Sequence, residues 1–252
     1  GDTANRRTLQ THLMLPCRQS TQSSTSTHEH ICYSRAVSNA PLNPHRLSLP
    51  VVYGLFAVSG FAALAYQVVW QRALFAIYGV NIESVTIVVT AFMLGLGAGS
   101  FIGGRLSRHP ARPVLLWFGA IELAIGAYGA ASLWILRGIG EMTAGADPFA
   151  TFALSFALVL LPTALMGATL PLLVAHLVRR SGNVGQSVGS LYFVNTLGSA
   201  AAALATAMWI MGDFGQQGTV WLAAALNFAV GGTVLYFRRN TPPQNPSSEA
   251  ST

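Results

Sequence analysis

The 252-residue chain is 52% hydrophobic and only 9% charged, against about 25% charged residues in an ordinary soluble domain, and its mean hydropathy is +0.49. Such a composition excludes water as the main solvent. All fourteen basic residues are arginine, set against eight acids for a net charge of +6. They gather in short connecting segments, which reads as membrane topology and not as nucleic-acid binding.

Residues 1–48 form a polar tail rich in Ser, Thr, Gln, Asn and His, with no apolar run long enough for a signal-peptide core or a membrane span. This tail is expected to be disordered and cytoplasmic. The chain does not begin with Met, and Met14 is the only Met before the first span, so processing or a different start site would account for the segment. Cys17 and Cys32 lie here without metal-ligand spacing. His28-Glu-His-Ile-Cys32 offers donor atoms but no framework to hold them in geometry, and no metal is expected.

Crossing about 30 Å of hydrocarbon takes roughly 20 apolar residues in a helix. Six stretches meet that requirement: 50–70, 85–104, 114–136, 149–178, 188–211 and 218–237. The predicted fold is therefore an all-α integral membrane domain of six transmembrane helices over 49–239, followed by a disordered tail at 240–252. The fourth stretch is too long for one straight crossing and contains Pro162 and Pro171, so a kinked or broken helix is expected there.

Loops retained in the cytoplasm are enriched in Lys and Arg. Arg46, then Arg105, Arg108 and Arg112, then Arg179 and Arg180, then Arg238 and Arg239 fall on one side of the six spans. The other side carries Glu83, Glu141, Asp147 and Asp213 beside Arg72 and Arg137. Both termini are thus expected in the cytoplasm. An arginine-only, Ala- and Gly-rich chain further suggests a bacterial inner membrane.

In lipid, close helix packing relies on small residues that let backbones approach. Gly95, Gly99 and Gly103 recur every four residues in the second span, and Gly198 with Ala202 forms a weaker face in the fifth. These faces serve either packing within the chain or a partner subunit. Glu122 is the only acid well inside a span, and a carboxylate at the bilayer centre costs at least about 2.5 kcal/mol, which makes it a functional candidate. It must be protonated, paired or facing a polar cavity, with Gln67, Arg72, Asn195 and Asn227 as candidate partners. Two roles remain open for it: an interhelical hydrogen bond, or proton coupling and cation binding. No phosphate loop, HExxH, GxSxG or dinucleotide fingerprint stands in a suitable context, so neither catalytic residues nor a cofactor are expected.

Two regions resemble the transmembrane spermidine-synthase-like proteins, also described as fused major-facilitator/spermidine-synthase proteins. The first comprises Ser59-Gly-Phe-Ala-Ala-Leu-Ala-Tyr-Gln-Val-Val-Trp-Gln-Arg72, Ala91-Phe-Met-Leu-Gly-Leu-Gly-Ala-Gly-Ser100 and Gly103-Gly-Arg-Leu106. The second comprises Leu161-Pro-Thr-Ala-Leu-Met-Gly-Ala-Thr-Leu-Pro171 and Val188-Gly-Ser-Leu-Tyr-Phe-Val-Asn-Thr-Leu-Gly198. The resemblance covers nearly all of 50–239. It implies a membrane region that usually precedes a cytoplasmic aminopropyltransferase domain acting with decarboxylated S-adenosylmethionine. Since the chain stops shortly after its last span, the resemblance read this way implies a membrane fold without the synthase reaction, hence no enzyme.

The loop from Gly104 to Pro113 is also similar to one in major-facilitator transporters, with Arg108 where an acid is usual. Six helices equal half of such a transporter, whose site lies between two halves. Three functions follow as expectations: a non-catalytic membrane subunit packed into a larger assembly of membrane proteins; a half-transporter or polyamine-like cation-binding module acting with a second copy; and a membrane anchor for a separately encoded aminopropyltransferase.

Overall fold

The structure, a computed structural model, describes residues 47–239 apart from 80, 110, 111, 144 and 146. The tail carrying Cys17, Cys32 and the His28–Cys32 segment, and the tail at 240–252, lie outside the described residues. Those described are helical throughout, with no strand among them: α1 (Leu49–Tyr78), α2 (Asn81–Ser107), α3 (Val114–Met142), α4 (Pro148–Ser181), α5 (Val184–Ala205) and α6 (Met211–Arg239). Five helical stretches are long and apolar enough to cross a membrane. The fifth is Val184–Arg239, in which a π-helical turn, Thr206–Ile210, follows α5 and Gly215 interrupts α6 with φ 65° and ψ −177°.

Local chemistry sets the ends of these helices. Pro50 in the first turn of α1 gives up an N–H that would have no helical partner in any case. Gly79 closes α1 at φ 69°, and its N–H returns to Phe75 O. Gly182 does the same for α4 at φ 68°, donating to Val178 O. Both adopt the left-handed conformation that a Cβ would penalise. Asp147 accepts from the Ala150 N–H at the start of α4, and Asn183 from the Gln186 N–H at the start of α5, each satisfying a free N–H of a first turn.

α4 does not break. It runs as one helix through Pro162 and Pro171, although each proline removes the donor for the carbonyl four residues earlier. Those two carbonyls are Leu158 O and Gly167 O, and other helices supply both with donors. Tyr128 Oη of α3 donates to Leu158 O at 2.6 Å, and Ser100 Oγ of α2 donates to Gly167 O at 3.0 Å. Neighbouring hydroxyls thus restore the satisfaction that hydrocarbon, lacking water, cannot provide. Of the kink or break expected at these prolines, the break is absent for that reason.

α2 runs parallel to α4 at close range. A Cβ on Gly95 would overlap the Thr163 side chain, one on Gly99 the Ala164 carbonyl, and one on Gly103 the Ala168 backbone. Gly167 approaches Leu96 equally closely from the other side. The glycine face of the second span is therefore filled from within the chain. Gly198 of α5 lies against the Ala57 backbone of α1, where Ser199 Oγ donates to Gly60 O at 3.1 Å, and Ala202 is fully buried.

α3 runs parallel to α1 and antiparallel to α6, since Gly119 faces Gly231 and Leu235 while Gly126 faces Ala224 and Phe228. Arg179 fixes one end of the assembly by donating to Ser107 O, His109 O and Arg112 O at 3.0–3.2 Å, and Arg180 donates to Leu47 O at 2.8 Å. The start of α1, the end of α2, the start of α3 and the end of α4 consequently share this arginine-rich end. The antiparallel pairing with α3 brings the end of α6 to it as well.

Two outcomes are expected from this packing. Gly99→Ala should destabilise the detergent-solubilised protein by about 1–3 kcal/mol in denaturant unfolding, while Gly97→Ala, whose Cβ would meet nothing within 4 Å, should be neutral. Tyr128→Phe and Ser100→Ala should each cost about 0.6–1.7 kcal/mol, and the double variant should show a larger local distortion of α4 by spin-label distances across Pro162 and Pro171.

Candidate functional site

The site is built on the interface of α1, α3 and α6. On α1 the buried residues include Ser59, Tyr66 and Trp70, spaced seven and four apart and therefore on one helical face. On α3 the facing residues are Glu122, Gly129 and Ser132, all buried. The pairs run in register: Ser59 with Glu122, Tyr66 with Gly129, Trp70 with Ser132. Phe56 and Phe118 close the column below Glu122, with ring centroids 6.5 Å apart.

Glu122 has 0% of its surface exposed. Ser59 Oγ donates to its Oε1 at 2.6 Å, and its Oε2 has no hydrogen-bond partner among the described residues. One turn and more above it, the Tyr66 ring stacks on Trp70 at 5.2 Å and 17°. Gly129 makes room for the Tyr66 hydroxyl, because a Cβ there would overlap the end of that ring. Trp70 Nε1 donates to Ser132 Oγ at 2.9 Å, and Ser132 Oγ donates in turn to Gly129 O at 2.7 Å. Asn227 of α6 is buried, and the pairing of Gly126 and Gly119 with α6 puts it at the level of Glu122. Among the described residues the Tyr66 hydroxyl and Asn227 Oδ1 also have no hydrogen-bond partner.

The four candidate partners of Glu122 separate clearly. Asn227 shares its level. Asn195 is half-buried and lies against Gly60, on the α5 side of α1. Gln67 is half-buried, and Arg72 is exposed, thirteen positions beyond Ser59, which is about 20 Å along a helix. The residue that bonds Glu122 is Ser59, which sequence reasoning missed. Its signal was the seven-residue spacing to Tyr66, since a serine in phase with two large aromatics marks a face turned towards protein.

Above the column, at the end of the bundle away from Arg179, a cavity of about 1210 Å³ opens between α1, α2, α3 and α4. Ala73, Ile77, Leu133 and Leu136 line its inner part, and Arg137 and Glu141 contribute charge to it. No group of three or more His, Cys, Asp or Glu able to hold a metal ion occurs among the described residues.

Comparison with known proteins adds one relationship. The chain is similar to a polyamine aminopropyltransferase. That protein, from Oceanobacillus iheyensis, is 23% identical over 190 residues, which are 75% of this chain and 36% of the relative. The chain thus spans about a third of its relative's length. No family model and no solved structure matches it. The similarity agrees with a spermidine-synthase-like relationship, and it corrects the expectation of no enzyme. A protein named as a transferase shares most of this helical region, so the reading that set the chain apart from catalysis does not stand.

The Ser59–Glu122 bond should be a measurable part of the fold. Ser59→Ala is expected to cost about 1 kcal/mol in thermal unfolding of the purified protein. Glu122→Gln keeps an acceptor for Ser59 and should melt closer to the parent than Glu122→Ala, which leaves the Ser59 hydroxyl without one.

Proposed function

We propose that this chain is the membrane-spanning module of an aminopropyltransferase system, holding aminopropyl transfer to polyamines at the face of a bacterial inner membrane. The observation that carries this reading is the similarity to the polyamine aminopropyltransferase across 75% of the chain. It is compatible with a transferase domain on the same polypeptide or on an associated one.

Six crossings, in the arrangement of half a major-facilitator transporter, fit this role. Supporting that count, α5 starts and α6 ends at the arginine-rich end of the bundle, with the left-handed Gly215 between them, so the chain must reverse within that stretch. Arg105, Arg108, Arg112, Arg179, Arg180, Arg238 and Arg239 are all exposed at that end, which supports placing it, and both termini, in the cytoplasm. A transferase acting on cytoplasmic substrates would dock there.

Purification in mild detergent from the native membrane, followed by an aminopropyl-transfer assay and mass spectrometry of every stoichiometric companion, tests this reading. Transfer activity that elutes with the chain is the expected result. A homogeneous assembly containing the chain and no transferase, with no activity, would overturn it.

A second reading, a module that binds a small amine and works with a second copy of itself, is favoured by the cavity between α1, α2, α3 and α4. Glu141 there is its only described acid. Spermidine should then raise the melting temperature of the parent but not of Glu141→Gln, and equal responses would remove this reading.

A further inference from the structure

We propose that Glu122 is a proton-binding site that exchanges its proton with the cavity above it by way of the Tyr66 hydroxyl. This inference stands apart from the aminopropyltransferase reading and does not depend on it.

Three polar atoms around this point are buried and unpartnered: Glu122 Oε2, the Tyr66 hydroxyl and Asn227 Oδ1. Their residues are 0%, 0% and 2% exposed. Buried polar groups are rarely left without partners, and a polar site with several unmet groups is where an internal water resides. The three belong to three different helices and differ in chemistry. Tyr66 brings a donor that suits an ionised carboxylate, and Asn227 Oδ1 brings an acceptor that suits a carboxylic acid O–H. With bridging water, either form of Glu122 finds a partner, while Ser59 holds Oε1 in both.

On α1, Tyr53, Arg72 and Tyr78 lie towards the helix ends and Tyr66 alone stands near this level. On α3, Tyr128 packs against Trp70 and donates to Leu158 O, and Arg137 and Glu141 line the cavity. The charged and titratable side chains described on α4 and α6 lie towards the helix ends: Asp147, His176, Arg179 and Arg180 on α4, and Asp213, Arg238 and Arg239 on α6. A proton entering from the cavity passes the Arg137 and Glu141 that line it and then, among the described residues, meets no carboxylate or imidazole before Glu122.

The groups between Glu122 and the cavity stack in register along α3; Trp70 Nε1–H is committed to Ser132 and the Ser132 hydroxyl to Gly129 O, so these two wall the route and leave Tyr66 to carry the proton. Leu133 and Leu136 line the cavity, Ser132 with Trp70 lies next below, then Gly129 with the Tyr66 hydroxyl, then Glu122. Eleven residues of α3 separate Glu122 from Leu133, about 16 Å. In the release step the O–H bond on Oε2 breaks and its electron pair stays on the carboxylate. The proton goes to a bridging water, which gives one of its own to the Tyr66 oxygen as Tyr66 releases its proton to water on the cavity side; the bridging water and the tyrosine are left neutral and the hydronium ion forms on the cavity side.

Infrared spectroscopy of the full chain in lipid nanodiscs, on exchange from H₂O to D₂O, tests this. A protonated-carboxyl stretch that is lost in Glu122→Gln and shifts on transfer to D₂O is the expected result. Tyr66→Phe should slow that shift by about tenfold, the equivalent of one net hydrogen bond in the path. Ala76→Trp, which narrows the cavity while leaving every residue of the column unchanged, should slow it too and keeps the test alive should Tyr66→Phe fail to fold. Absence of any carboxyl band assignable to Glu122, a band that never exchanges, or exchange at the parent rate in Ala76→Trp would each overturn the proposal.

Discussion

Every backbone carbonyl in a lipid-embedded helix needs a donor, and in this protein α4 is where that constraint bears hardest. Pro162 and Pro171 each leave a carbonyl without its helical N–H, inside a helix long and apolar enough to cross a membrane, where water would not be available to replace it. Tyr128 and Ser100 replace it instead. These two hydroxyls come from α3 and α2, so the continuity of α4 depends on both neighbours being in place. Ser100 can reach only because Gly99, Gly103 and Gly167 let the α2 and α4 backbones approach. The glycines and the prolines are thus two halves of one arrangement.

The same logic governs the other half of the bundle, with a different result. Between α1 and α3 the small residues Ser59, Gly129 and Ser132 accommodate large or polar partners, Glu122, Tyr66 and Trp70. Here the polar groups outnumber the bonds made. Around the prolines each freed carbonyl has its donor, whereas around Glu122 three buried atoms have none. Packing explains the first region completely. The surplus of unmet polar groups in the second sets it apart as the place where function is to be sought.

The arginine-rich end joins these regions. Arg179 bonds three carbonyls across the connection from α2 to α3, and Arg180 bonds Leu47 at the start of α1. Residues that serve in the sequence as markers of membrane orientation therefore also cap helix ends. That gives this face a defined surface.

By itself the sequence determined the class of structure, because the length of an apolar run is a local property that hydrocarbon thickness selects directly. It placed the starts of α1, α3 and α4 within a residue but stopped α1 eight residues short, because an apolar run stops short of the caps formed by Gly79, Asp147, Gly182 and Asn183. It marked Glu122, because a lone acid in an apolar run is costly wherever the run lies. Only the tertiary structure decided what those residues meet. Ser59 is 63 positions from Glu122, and Ser100 is 67 from Gly167. Lipid removes the usual clue to such pairings: a side chain facing acyl chains and one facing another helix can be equally apolar, so periodicity says little about which faces adjoin. For the same reason the partners of Glu122 expected from polarity alone, Gln67 and Arg72 among them, gave way to a small hydroxyl whose only advantage is its position.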